Sequence, residues 1–286
     1  MIQIKNYWLD FFNRELQEEH WWTRKKALLK ERKATIVKIA GDGHFIRKIS
    51  FHHDTFYEYL LHLSLLIKQH HALYMEEMVI PFQCRFQDGH IIEHEQISKK
   101  ITDSSYDDQP PPIQLNLSDQ RNDERFSYDR HKAVQYAERW WNSYNPAYRT
   151  FDVDCTNFVS QCLHAGGAPM WGAPVRNRGW WYQGDQWSFS WAVAHSLRWY
   201  LSGSTKGLQG KEVQSPEELY PGDIICYDFQ GDGRWDHNTI VVAKDVYDMP
   251  LVNAHTVNSR HRYWSYEDST AWTPNITYKF FRIGES

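Results

Sequence analysis

The sequence predicts two α+β domains joined by an extended linker, and three observations carry that reading. The 286 residues suffice for two cores of roughly 100 to 200 residues each. The stretch from Ser98 to Arg125 gathers Asp103-Ser104-Ser105, Asp107-Asp108 and Pro110-Pro111-Pro112, a composition that buries little and favours polyproline geometry. Tryptophan is unevenly shared, with 11 of the 14 lying beyond Phe126, which marks a separate aromatic-rich core. The expected divisions are therefore an N-terminal α+β domain over 1–97, a linker over 98–125 and a second domain over 126–286.

In the first domain, Trp8, Phe11, Phe12, Leu16 and Trp22 stand near helical spacing and predict an amphipathic helix within Met1 to Lys33. Alternating runs follow at Thr35–Ala40, Phe45–Phe51, Met78–Phe86 and Ile91–Ile97, with turns expected at Gly41-Asp42-Gly43 and Asp88-Gly89. The run from Thr55 to Tyr74 fits a helix by length and a strand by partial alternation. Nine histidines fall here, including His52-His53 and His70-His71. Adjacent histidines on a strand point to opposite faces, so neither pair chelates a metal alone, and they are read as solvated or packed.

Composition narrows the function classes. A net charge of −4 supplies no field to hold nucleic acid or an anionic membrane. No stretch approaches the roughly 20 apolar residues of a membrane span. The first residues lack the apolar run and cleavage site of a secretory signal, so residence in the cytoplasm, or in a cell-derived particle such as a spore, is the expectation. The four cysteines, Cys84, Cys155, Cys162 and Cys226, form no C-x-x-C pair and signal neither zinc nor disulfides. No metal and no cofactor is expected.

The chemistry concentrates in the second domain. Tyr128 to Trp141 reads as a helix that stops before Asn145-Pro146. A second helix runs from Cys155, with Asp154 as N-cap and Gly166-Gly167 as stop. This frame puts Cys155 in the first helical turn, where backbone N–H groups and the positive dipole end favour a thiolate nucleophile. A buried core residue is the commoner fate of a lone cysteine, and Cys162 is assigned to it. A thiol nucleophile needs a histidine brought to it by the fold. His237 opens the strand from Asn238 to Ala243 and is the candidate base. A strand from Leu251 to Val257 carries Asn253 and His255 on one face. His255 is the candidate for orienting the base, with Asn253 as alternative.

Tyr136 and Tyr148 could donate to an oxyanion, though packing is the commoner role for such residues. Trp180 and Trp181 are the candidate walls of a substrate groove, among tryptophans that otherwise read as core. The run Asp228-x-Gln230-x-Asp232-Gly233-x-x-Asp236 has some calcium-loop character. Thr239 stands where the last carboxylate would be, so a hairpin turn is the reading.

Taken together, Tyr128-x-x-x-x-Ala133-Val134-x-Tyr136-Ala137, Asn145-Pro146-x-Tyr148, Asp154-Cys155-Thr156-Asn157-Phe158-Val159-Ser160-Gln161, Pro221-Gly222-Asp223, Asp236-His237 and Ala254-His255-Thr256 resemble the bacterial putative amidase domain. That family is similar to the NlpC and CHAP groups of papain-like cysteine peptidases. The resemblance covers about 125–283. It implies a papain-like domain in which a helix-borne Cys155 packs on an antiparallel sheet carrying His237, with a third polar residue falling at His255. NlpC-type relatives often cut amides in peptidoglycan peptides, but their Asp-Cys-Ser-Gly start is Asp-Cys-Thr-Asn here, so pocket details do not transfer. The expected function is cysteine-dependent hydrolysis of an amide in a peptide or peptidoglycan-like substrate through a thioester. An acyltransferase using the same residues, and a non-catalytic glycan- or peptide-binding module, are the alternatives.

Overall fold

The computed structural model describes residues 2–14, 16, 20–97 and 126–284. The chain divides into two compact units, Met1–Ser98 with Glu267–Thr270, and Lys99–Tyr266 with Ala271–Ser286. The predicted linker over 98–125 lies outside the described residues apart from its neighbours. Both units combine helices with antiparallel strands, as an α+β class requires. Among the described residues no helix is long and apolar enough to cross a membrane.

In the first unit the expected single helix is two, α1 (Ile2–Asn13) and α2 (Trp21–Glu31). They precede an antiparallel meander of β1 (Ala34–Phe51), β2 (Asp54–Gln69), β3 (Ala72–Gln87) and β4 (His90–Gln96). Gly41-Asp42-Gly43 is not a turn. Gly41 pairs with Leu63 and Gly43 with Leu61 in the middle of β1. The chain reverses instead at His52-His53 and His70-His71, where His52 and His70 adopt φ of 52° and 53°. Histidine is among the few side chains enriched at positive φ, so the paired histidines serve as hairpin turns. The ambiguous leucine run is β2, burying Tyr59, Leu61, Leu63, Leu65 and Ile67 on one face with the period of two that a strand demands.

The second unit opens with α3 (Arg130–Trp140), capped by Asp129 accepting from the Lys132 N–H at 3.0 Å, and α4 (Cys155–Ala165). A small hairpin, β5 (Tyr182–Gln183) and β6 (Gln186–Trp187), leads to α5 (Phe189–Ala192) and α6 (Ala194–Gly203). Then come β7 (Gly210–Val213), β8 (Ile224–Asp228), β9 (His237–Lys244), β10 (Pro250–Ala254), β11 (Asn258–Tyr263) and β12 (Thr277–Ile283). The strands run β11-β10-β9-β8-β12-β7, each antiparallel to its neighbour.

Alternation gives this sheet two faces. Ile224, Cys226, Ile240 and Val242 pack with α4 residues Phe158, Val159, Cys162 and Leu163. Ile225, Tyr227, Val241 and Val252 turn the other way, onto Phe229 and Tyr266. The Pro221-Gly222-Asp223 motif is a latch between these layers. Asp223 accepts from Arg130 at 2.5 Å and from the Ile283 N–H at 2.9 Å, while Gly222 accepts from the Tyr128 hydroxyl.

Candidate active site

α4 is buried from Cys155 to Leu163, so each polar group in its first two turns must find a partner inside the protein. Thr156 accepts from Asn238 Nδ2 at 2.9 Å. Asn157 donates to Asp154 and to the Arg149 carbonyl, and accepts from the Trp191 indole at 2.8 Å. Phe158 stacks on His255 with centroids 4.0 Å apart. Ser160 donates to the Trp191 carbonyl and accepts from the Trp180 indole. Gln161 accepts from the Tyr136 hydroxyl, which also receives Asn145. The motif around Cys155 is thus a complete set of internal hydrogen bonds, and Tyr136 is committed to it.

Cys155 occupies the first residue of α4, as expected, but it is 1% exposed. Burial raises its thiol above the usual cysteine range, against the opposing pull of the Asn238 backbone N–H and the Thr156 and Thr256 hydroxyls. The helix start favours a thiolate, but desolvation outweighs it here, so the shift is opposite to the one expected from the sequence. Thr256, whose hydroxyl is buried beside the thiol, has φ of 85°. For a β-branched residue that is strained backbone, of a kind that collects at functional sites. The other three cysteines are free and buried, and each is also shifted upward by burial.

His237 opens β9 and is 4% exposed. Burial, aided by the Arg262 charge, lowers it to about 3, so the ring is neutral near pH 7. Alternation places it with Thr239 and Val241 on the face away from the α4 core. No hydrogen bond joins it to Cys155 among the described residues. What joins the two elements is backbone, since the thiol faces the N–H of Asn238, the residue after His237. His237 Nε2 lies 3.2 Å from the Tyr266 hydroxyl.

His255 does not reach His237. It lies just past the end of β10, with Nδ1 2.8 Å from Asp154 and Nε2 2.8 Å from the Trp140 carbonyl. Both ring nitrogens are thus engaged by these two partners, and neither is turned toward His237. Asp154, read as an N-cap, makes no side-chain cap to the helix backbone. Its carboxylate goes to His255, to Asn157 and to the Phe151 N–H. Asn253 points toward α3, donating to Glu138 and the Ala137 carbonyl and accepting from the His261 N–H. Burial opposes ionisation of Glu138, yet His261 and Arg260 bring it down to about 2. Asn253 therefore belongs to a structural junction.

Trp180 and Trp181 are 0% and 2% exposed. Their indoles donate to Ser160 and to the Val175 and Arg178 carbonyls. They build the core and do not wall an open groove. The Asp228 loop is a hairpin turn, its carboxylate accepting from the N–H groups of Gly231, Asp232 and Gly233. Tyr266 was missed, because nothing in its local sequence separates it from the other tyrosines.

Residues 127–281 match the model of a family described as "Putative amidase domain". "Uncharacterized protein YhbB" of Bacillus subtilis (strain 168) is 48% identical over 266 residues, covering 91% of this chain and 85% of that protein. "Uncharacterized protein YjcM" of the same organism is 31% identical over 127 residues, 41% of this chain and 28% of that protein. No solved structure matches.

Proposed function

The chain belongs to the putative amidase domain family, and on that premise we propose that its second unit hydrolyses an amide with Cys155 as nucleophile and His237 as base. The observation that carries this reading is the meeting of the α4 start with the β9 start, where the Cys155 thiol faces the N–H of the residue after His237. We read the domain as papain-like, related to the NlpC and CHAP groups. A cysteine-first helix packed on an antiparallel sheet supports that relation. The substrate class is peptide-like, with a peptidoglycan peptide as the specific case.

The resting pair is neutral, since burial favours thiol and imidazole alike. As Cys155 Sγ attacks the carbonyl carbon, its proton passes to His237 Nδ1. The oxyanion is received by N–H groups at the start of α4, where no acceptor takes those of Cys155 and Thr156 among the described residues. Collapse breaks the C–N bond, and the imidazolium gives its proton to the departing amine. Water then cleaves the thioester by the same route, releasing the acid and restoring the thiol. Opening of the buried site to admit substrate is part of this cycle. An aromatic binding groove has lost its residues, because Trp180 and Trp181 are core.

The test is incubation with peptidoglycan fragments and simple peptide amides, with mass spectrometry of products. Equal release of amine and acid supports the reading, and intact substrates across both sets oppose it. A pH prediction accompanies it. Because the thiol is shifted up and the imidazole down, iodoacetamide labelling of Cys155 climbs steadily from pH 6 to 10 with no acid plateau. A plateau between pH 4 and 6 would instead reveal a preformed thiolate–imidazolium pair.

A further inference from the structure

A neutral imidazole has one donor and one acceptor nitrogen, so a histidine base works only when its tautomer is fixed. Neither residue expected to fix His237 touches it. The Tyr227 and Phe229 rings pack near it, and its side-chain hydrogen bond among the described residues is with Tyr266, whose ring centroid stands 5.2 Å from the imidazole and whose hydroxyl faces Nε2. Tyr266 is 3% exposed, with φ of 57° where the chain leaves β11. Its hydroxyl is 3.4 Å from Ser259 Oγ, on a residue fully buried in β11 and paired with Ala254 of β10. The Arg262 guanidinium covers the same ring at 4.1 Å. His237 Nδ1 has no hydrogen-bond partner among the described residues.

We infer that Tyr266 is the positioning residue of His237 and that Ser259 completes the chain. His237 Nε2–H donates to the Tyr266 oxygen, and the Tyr266 O–H donates to Ser259 Oγ. This direction leaves the Nδ1 lone pair open to take the Cys155 proton. The inference rests on His237 being the base. It moves the third role from the strand after His237 to the turn beyond β11, and it assigns His255 to holding Asp154 and the α4 start.

The tautomer is read directly, without substrate, by long-range 1H–15N NMR of protein labelled with 15N-histidine, the His237 signal being assigned with His237→Gln. The expected result at pH 7 is the Nε2–H tautomer in the unaltered protein. Tyr266→Phe shifts it toward Nδ1–H or a mixture. Iodoacetamide labelling of Cys155 then slows roughly tenfold or more, since a mis-set tautomer disables a histidine base. Ser259→Ala changes both readouts in the same direction and less, and it serves where Tyr266→Phe does not fold. An Nδ1–H tautomer in the unaltered protein overturns the inference, as do unchanged tautomer and labelling in both variants. Failure of the underlying reading looks different. His237→Ala would then leave Cys155 labelling unchanged, while the His237 ring of the otherwise unaltered protein still shows the Tyr266-dependent tautomer.

Discussion

Cys155→Ala abolishes amide hydrolysis, with an expected loss on the order of 10^4-fold or more, because the substrate is left without an attacking group. The fold should survive. Cys155 has no disulfide, and its thiol meets only weak partners, the Thr156 hydroxyl at 3.7 Å, the Thr256 hydroxyl and the Asn238 N–H. The change removes one buried sulfur from a helix anchored elsewhere by Asn157, Ser160 and Gln161. Urea unfolding alongside the assay separates the two effects. A collapse of stability would mean that Cys155 is a packing residue, and activity retained in a folded variant would remove it from the chemistry.

Asp154→Ala carries the largest expected stability loss. The Asp154–His255 pair is buried, with side-chain exposures of 2% and 3%. Deleting the carboxylate leaves His255 Nδ1 without its partner beside the Phe158 ring, orphans the Phe151 N–H and removes one of the two acceptors of Asn157 Nδ2. Breaking such a pair costs about 3–5 kcal/mol, against a total of about 5–15 kcal/mol for a typical domain. His255→Phe on its own keeps the stacking surface and leaves the carboxylate two of its donors, so its cost is smaller. The double variant should cost less than the sum of the singles, since the pair is lost only once. Additive losses would show that the two groups are energetically independent.

The parts of this molecule legible in its sequence are those with a local signal. Gly166-Gly167 ends α4, with Gly167 at φ of 91°. His237 opens β9, and Asp88-Gly89 turns the β3–β4 hairpin. The misread parts depend on partners far along the chain. Gly41-Asp42-Gly43 has turn composition, but the leucines of β2 supply a continuous pairing surface that keeps β1 extended. Trp180 and Trp181 look like exposed aromatics until Ser160, Val175 and Arg178 are seen to satisfy their indoles. Asp154 fits the cap pattern, yet an acceptor-seeking histidine 101 residues away takes its carboxylate. Desolvation of Cys155 follows from the layers stacked around it, which no neighbouring residue announces.

The most direct test of the central claim is capture of the acyl-enzyme. Protein is mixed with a peptide amide that it cleaves, quenched in acid within a turnover, and mapped by mass spectrometry. A hydroxylamine-labile acyl adduct on Cys155, absent from Cys155→Ala and from Cys84, Cys162 and Cys226, is the predicted result. Turnover with no adduct on Cys155, or with the acyl group on another residue, would contradict the account.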